Sequence, residues 1–238
     1  MLLHAETTGA GPEAVVLLHG MTGSAESWWR ITGLLADRGV RVVALDLPGH
    51  GRSPRCPTMT VPGAAASVAQ TLDTLGVRPT VTVGHSFGGL LLAVAVATGR
   101  LDPGLAVYVD APFATRGGHD RAEAQAEYVA ERDSRTVNRL RADKPHYGER
   151  DCQVEALAAS RFDPATAAAI AAGPGGSWLP RPGSFVVRAD PSHYVDDETA
   201  AALASSGVDV RSIPGAAHSV WYSHFDAFVA ALPEVFDR

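Results

Sequence analysis

Short apolar runs without polar alternation recur along the chain, and stretches of helical pattern separate them. The runs occupy residues 14–18, 41–45, 79–83 and 105–109. A strand of this kind is buried on both faces, which is the condition of a parallel sheet covered by helices. Helices are expected at 25–36, closed by Gly39, at 64–75 and at 87–98. A short opening strand lies around residues 2–8. Strand, helix, strand order with short turns predicts an α/β fold, a mostly parallel central sheet flanked by helices.

The alternation stops after Asp110 and resumes with a strand at 185–188. Residues 111–183 therefore form an insertion, far longer than the ~2–6 residues of an ordinary βα loop, and need structure of their own. Residues 120–141 read as one long polar helix. Asp163-Pro164 opens a second, alanine-rich helix that ends near Gly173. A helix at 197–204, a strand at 208–213 and a closing helix at 224–236 complete the pattern. The expected organisation is one core domain, residues 1–110 and 184–238, carrying a helical lid at 111–183.

Hydrophobic residues make up 46% of the 238 and charged residues 19%, the latter below the ~25% of an average globular chain. A large core is therefore available, and disorder is excluded as the main description. The longest nearly uncharged apolar run, 87–98, is shorter than the ~20 residues that cross a bilayer. The sequence from Met1 reads as strand, without the basic and apolar regions of a secretory signal, so a cytoplasmic protein with no membrane partner is expected. Twenty Lys and Arg against 26 Asp and Glu leave a formal charge of −6, which disfavours nucleic-acid partners. Cys56 and Cys152 lack metal-site spacing and read as free thiols. Lys144 is the only lysine and has no glycine-rich loop beside it, which argues against P-loop or Schiff-base chemistry.

The segment Gly84-His85-Ser86-Phe87-Gly88-Gly89 contains the pattern Gly-x-Ser-x-Gly and joins an apolar strand to an apolar helix. A serine at such a bend is forced into a strained conformation that exposes its hydroxyl beside a helix N-terminus, where developing negative charge is favoured. Other strands are followed by His19-Gly20-Met21-Thr22-Gly23, by Asp46-Leu47-Pro48-Gly49-His50-Gly51-Arg52-Ser53, and by Gly215-Ala216-Ala217-His218. In these motifs and their order the chain resembles the α/β-hydrolase family over nearly its whole length outside the insertion. The resemblance implies that family's fold, with a helical lid inserted after the sixth strand. It also implies a serine, acid and histidine triad in that chain order, at the carboxyl edge of the sheet.

Ser86 is then the nucleophile and His218 the base, since a serine hydroxyl is nearly inert at neutral pH until its proton is taken. His218 follows the last strand, where the 214–217 loop can turn an imidazole back over the sheet edge; His224 is the weaker alternative. The oxyanion hole needs two backbone NH groups, which the motifs assign to Met21 and Phe87. His19 reads as a scaffold residue whose ring bonds nearby backbone, and 48–53 as a shaping turn. The acid has two candidate places. Family members usually carry it in the loop after the strand that follows the lid, here Ala189-Asp190-Pro191-Ser192-His193, where Ser192 stands at the acid's place and Asp190 comes early. Another branch carries it at the end of the strand before the lid, here Val109-Asp110-Ala111-Pro112. Asp110 is preferred, Asp190 is its alternative, and Asp196 and Asp197 follow.

The implied activity is hydrolysis of a carboxylic ester, lactone or thioester of a small molecule through an acyl-enzyme, with no metal or organic cofactor. Serine rather than aspartate at position 86 argues against haloalkane dehalogenase or epoxide hydrolase chemistry. The same triad also serves carbon–carbon bond hydrolysis, lyase steps and cofactor-free oxygenation, and a scaffold of this kind can bind a ligand without catalysis. Within the insertion, Phe113, Tyr128, Val129, Tyr147, Leu157, Phe162, Trp178 and Leu179 are available to roof a pocket. Arg116, Arg121, Arg132, Arg135, Arg139 and Arg141 are mostly expected to face solvent, with a clamp for an anionic substrate as the alternative.

Overall fold

A computed structural model of the chain describes residues 1–237. In chain order the strands are β1 (Ala5–Thr8), β2 (Ala14–Leu18), β3 (Arg41–Leu45), β4 (Val81–His85), β5 (Leu105–Val109), β6 (Ala114–Gly117), β7 (Pro174–Ser177), β8 (Phe185–Asp190) and β9 (Asp209–Pro214). Strands β6 and β7 pair with each other, antiparallel. The other seven form one sheet in the order β1-β3-β2-β4-β5-β8-β9, parallel except for β1 against β3. Side chains alternate between its faces. Val16, Leu18, Val43 and Leu45 join the core on one face, while Val15, Leu17, Val42 and Ala44 join the core on the other.

Helices α2 (Val61–Thr74) and α3 (Phe87–Ala97) cover the first face. Helix α1 (Trp29–Asp37) covers the second, together with residues of the C-terminal segment after β9. Helix α2 begins three residues earlier than its apolar pattern suggests, because Thr60 caps it through Gly63 N and Pro62 sits in its first turn. The first strand is shorter than expected. Leu3 and His4 donate instead to the hydroxyls of Thr71 and Ser53. Both cysteines are free thiols, as expected. Among the described residues no helix is long and apolar enough to cross a membrane.

The insertion leaves after β5, so it follows the fifth strand of the chain rather than a sixth: β1 is the only strand ahead of β2. It holds four helices, α4 (Arg121–Ser134), α5 (Val137–Asp143), α6 (Glu149–Ser160) and α7 (Pro164–Ala172). The single polar helix expected over 120–141 is thus broken. Arg135 leaves helical geometry, and the Thr136 side chain accepts from Arg139 N to start α5. Asp163 caps α7 and Gly173 ends it, as the sequence suggests. The closing helix expected over 224–236 is two short ones, α10 (Phe225–Ala230) and α11 (Pro233–Phe236), preceded by a further turn, α9 (Val220–Ser223), while α8 (Asp197–Ser205) lies between β8 and β9. Pro233 cannot donate an amide to a continuing helix, which accounts for the last break.

Contacts from α6 and α7 help hold the insertion to the core. On α6, fully buried Asp151 accepts from the Trp29 indole at 3.0 Å and from Arg30 at 2.6 Å. On α7, Asp163 N donates to Gly49 O at 2.8 Å, and Thr166 Oγ1 accepts from Cys56 N at 2.8 Å. Removing one partner of a buried ion pair leaves an uncompensated group, whereas an exposed pair contributes little. Asp151→Ala is therefore expected to lower unfolding free energy by about 3 kcal/mol. Asp143→Ala, which breaks the exposed Arg139–Asp143 pair of α5, should cost under ~0.5 kcal/mol. Urea titration of both variants checks the contrast, and equal losses would contradict it.

Candidate active site

The strand order places the site. From β2 the chain moves outward to β3 and then crosses back to β4 on the other side of β2. Loops leaving β2 and β4 therefore diverge and open a crevice at the carboxyl ends of the strands. Ser86 stands there between β4 and α3 with φ 50° and ψ −117°, a conformation that costs a non-glycine residue of order 1–3 kcal/mol. Its NH donates to Val109 O, and its carbonyl accepts from Leu90 N, both at 3.0 Å. The flanking glycines answer to space. A Cβ at Gly88 would lie 2.3 Å from the Leu18 carbonyl oxygen, and one at Gly84 would lie 2.7 Å from Gly88 O. Gly20 closes on the serine from the β2 side, where a Cβ would come within 3.2 Å of Ser86 Cβ. Phe87 NH is at the first position of α3, where a helix NH has no intrahelical carbonyl. Met21 follows Gly20 and lines the same crevice.

His218 lies after β9 and lines that crevice together with Ser86. Its Nδ1 is 2.6 Å from Asp110 Oδ2. The other Asp110 oxygen accepts from Ser192 Oγ at 2.6 Å and from Ala189 N at 3.2 Å. Ser192 Oγ also accepts from the amides of Tyr194 and Val195, so the residue at the usual acid place bonds Asp110 instead. Asp190 does not reach His218. It sits 3.6 Å from Arg188 and is partly exposed. Asp196 caps α8 and Asp197 pairs with Arg188 at 2.6 Å. His224 is beside Gly215 and does not line the crevice.

Three more buried histidines lie around the serine bend, and His85 among them lines the crevice. His19 Nδ1 donates to Gly20 O at 2.7 Å and its Nε2 accepts from Leu47 N at 3.0 Å. His50 repeats the arrangement, with Pro48 O at 2.9 Å and Thr22 N at 3.3 Å. A carbonyl on one nitrogen and an amide NH on the other fix each ring as the neutral Nδ1–H tautomer. These rings tie the 19–23 loop to the 46–53 turn, as expected for His19. His85, inside the serine motif, donates from Nε2 to the His218 carbonyl at 3.0 Å and has its ring 4.5 Å from that of His218.

The crevice is a cavity of about 500 Å³, within the usual range for small-molecule sites. Tyr128 and Tyr147 of the insertion line it, as the sequence reading allows, while Leu157 and Leu179 are exposed and Phe162 packs beneath, against His50. Arg135 departs from the expected solvent-facing set: it turns inward to Glu155 Oε2 at 2.8 Å. Tyr194 was not anticipated. Its ring is 4.7 Å from that of His218, and it lines the crevice with Ser86. No motif marks it, since it arrives through the turn around Ser192.

The sequence profile of the Alpha/beta hydrolase family matches residues 15–231, and the chain belongs to that family. It is 37% identical over 142 residues to Lipase LipV of Mycobacterium tuberculosis, covering 52% of this chain and 53% of that protein. It is 32% identical over 127 residues to Esterase YbfF of Escherichia coli, covering 51% and 48%. The match thus spans about half the length of each relative. Among solved structures, a bromoperoxidase from Bacillus anthracis superposes with a TM-score of 0.78 at 20% identity, over 99% of this chain and 95% of that one. At that identity the likeness concerns the fold.

Burial pushes the His19 ring down to about 4 and the His50 ring down to about 3, the latter helped by the neighbouring His19. Both stay neutral in the folded protein while their unfolded counterparts charge near pH 6.5. Their stabilisation is full above pH 6.5 and is lost as pH falls toward 4 and 3. Between pH 6.5 and 4.5 each should cost about 2 kcal/mol of unfolding free energy. Chemical denaturation across that window should show the decline, and His50→Gln should make it shallower by about one such step. A stability flat over the window would contradict the assignment.

Proposed function

We propose that the protein is a serine hydrolase that cleaves a carboxylic ester, lactone or thioester of a small molecule through an acyl-enzyme, with 111–183 as its lid. The single observation that carries this reading is the 2.6 Å contact of His218 Nδ1 with Asp110, which leaves Nε2 on a ring facing the same cavity as Ser86. Names among the relatives, a lipase and an esterase, agree with it.

On this reading Ser86 Oγ attacks the substrate carbonyl carbon while His218 Nε2 takes its proton. Asp110 holds the imidazole in the Nδ1–H tautomer and stabilises the imidazolium that forms. The amides of Met21 and Phe87 receive the carbonyl oxygen as it becomes negative. Collapse breaks the bond to the leaving oxygen, which departs with the proton from His218. Water then adds by the same route, releases the acid and restores Ser86. His85 supports the main chain of His218, and its own ring is held neutral by burial, with the nearby His218 adding to the shift.

A fluorophosphonate probe should label the wild-type protein and fail on Ser86→Ala. With p-nitrophenyl butyrate, Asp110→Asn should lower kcat by ~10⁴-fold, and Ser192→Ala by ~10-fold, the worth of one hydrogen bond to a charged group. Asp190→Asn should stay within about threefold of wild type, the scale of a surface substitution. Equal losses in Asp110→Asn and Asp190→Asn would reject the assignment of the acid. Absence of labelling would favour a ligand-binding scaffold, and turnover that requires oxygen would favour oxygenase chemistry.

A further inference from the structure

The cavity has two chemically different sides, each adjoining a different one of the two cores. Val61, Phe87, Leu90 and Ile170 line one wall and belong to the core that packs around α2 and α3. The other side adjoins the second core and, beside Trp221, presents polar groups. There Tyr147 Oη is 3.3 Å from Ser219 Oγ. Glu155 accepts from Arg135 at 2.8 Å, and the single proton of the Tyr222 hydroxyl lies between Glu155 at 2.9 Å and Ser27 O at 2.8 Å. Ser219 follows His218 directly, so the polar wall is the imidazole's own side.

Taken with the hydrolase reading, on which this depends, we infer that the substrate is an ester joining an apolar acyl group to a neutral alcohol that carries further hydroxyl groups. The base hands its proton to the departing oxygen, so the alcohol half must lie toward His218 and the polar wall. The carbonyl oxygen is drawn to the Met21 and Phe87 amides, which leaves the apolar wall for the acyl chain. Tyr147, Ser219 and the Arg135–Glu155 pair keep bonding capacity beyond their contacts with one another, which a hydrocarbon alcohol would desolvate without returning a hydrogen bond. Hydroxyl groups restore both donors and acceptors. The wall does not call for a charge: Arg135 and Glu155 compensate each other in direct contact, and Lys144 and Glu131 add one charge of each sign to the cavity lining.

The test compares 1-glyceryl butyrate with 2-methylbutyl butyrate, in which methyl groups replace the two hydroxyls, by titrating the acid released. Two hydrogen bonds gained predict a kcat/KM at least ~10-fold higher for the glyceryl ester. The monosuccinate of glycerol, with an anionic acyl end facing the apolar wall, should fall below the butyrate by a similar factor. Tyr147→Phe removes one oxygen and keeps the packing, and it should move the glyceryl to 2-methylbutyl ratio toward unity, as should Arg135→Met. A wild-type ratio at or below one, or a ratio unmoved in both variants, would overturn the inference while leaving the hydrolase reading intact. If none of the esters is cleaved and the phosphonate probe does not label Ser86, the hydrolase reading itself fails and the inference falls with it.

Discussion

The approach of the α3 backbone to β2 is the constraint on which the rest of the molecule depends. At Gly88 the two main chains are so close that a single methyl group would collide with the Leu18 and His19 carbonyls. That proximity fixes where α3 begins and therefore drives Ser86 into its left-handed conformation. It also brings the 19–23 loop alongside the serine, so that Met21 and the Phe87 amide share one crevice. Strain at position 86 persists because backbone hydrogen bonds on both sides of it, to Val109 and from Leu90, over-determine the bend.

A second constraint is the charge at Asp110, which is 1% exposed. An isolated carboxylate in such a place is costly, and it is retained only when its lone pairs are satisfied. Here they are shared among His218, Ser192 and an amide of β8. The same hydroxyl of Ser192 gathers the amides of Tyr194 and Val195, so one oxygen both orients the carboxylate and shapes the turn that sets Tyr194 against the imidazole. Asp190 pairs with Arg188 of its own strand and does not line the crevice.

Much of this was legible in the residues. Continuous apolar runs marked β2, β3 and β5 to the residue, because a strand buried on both faces leaves no polar alternation to blur its ends. The serine bend was legible because it needs small residues at fixed offsets. Within the insertion the pattern thinned. Helix α6 carries many polar residues, and two of them, Asp151 and Glu155, are buried for reasons that lie on α1 and α9, far along the chain. Arg135 looked like one of six solvent-facing arginines because its partner Glu155 is twenty residues away and nothing local announces it. Ser192 and Tyr194 depend on a turn whose organising contact is tertiary.

Pairing of β4 with β5 sets His85 opposite Val109, and Ser86 and Asp110 are the residues immediately beyond. On the reading proposed here, the spacing between nucleophile and carboxylate is thus inherited from ladder geometry in the middle of the sheet. The turn at 191–195 then tunes the carboxylate through Ser192 without setting that spacing. Such an arrangement separates fine orientation, supplied from the rim, from the dimensions of the centre, which main-chain pairing holds.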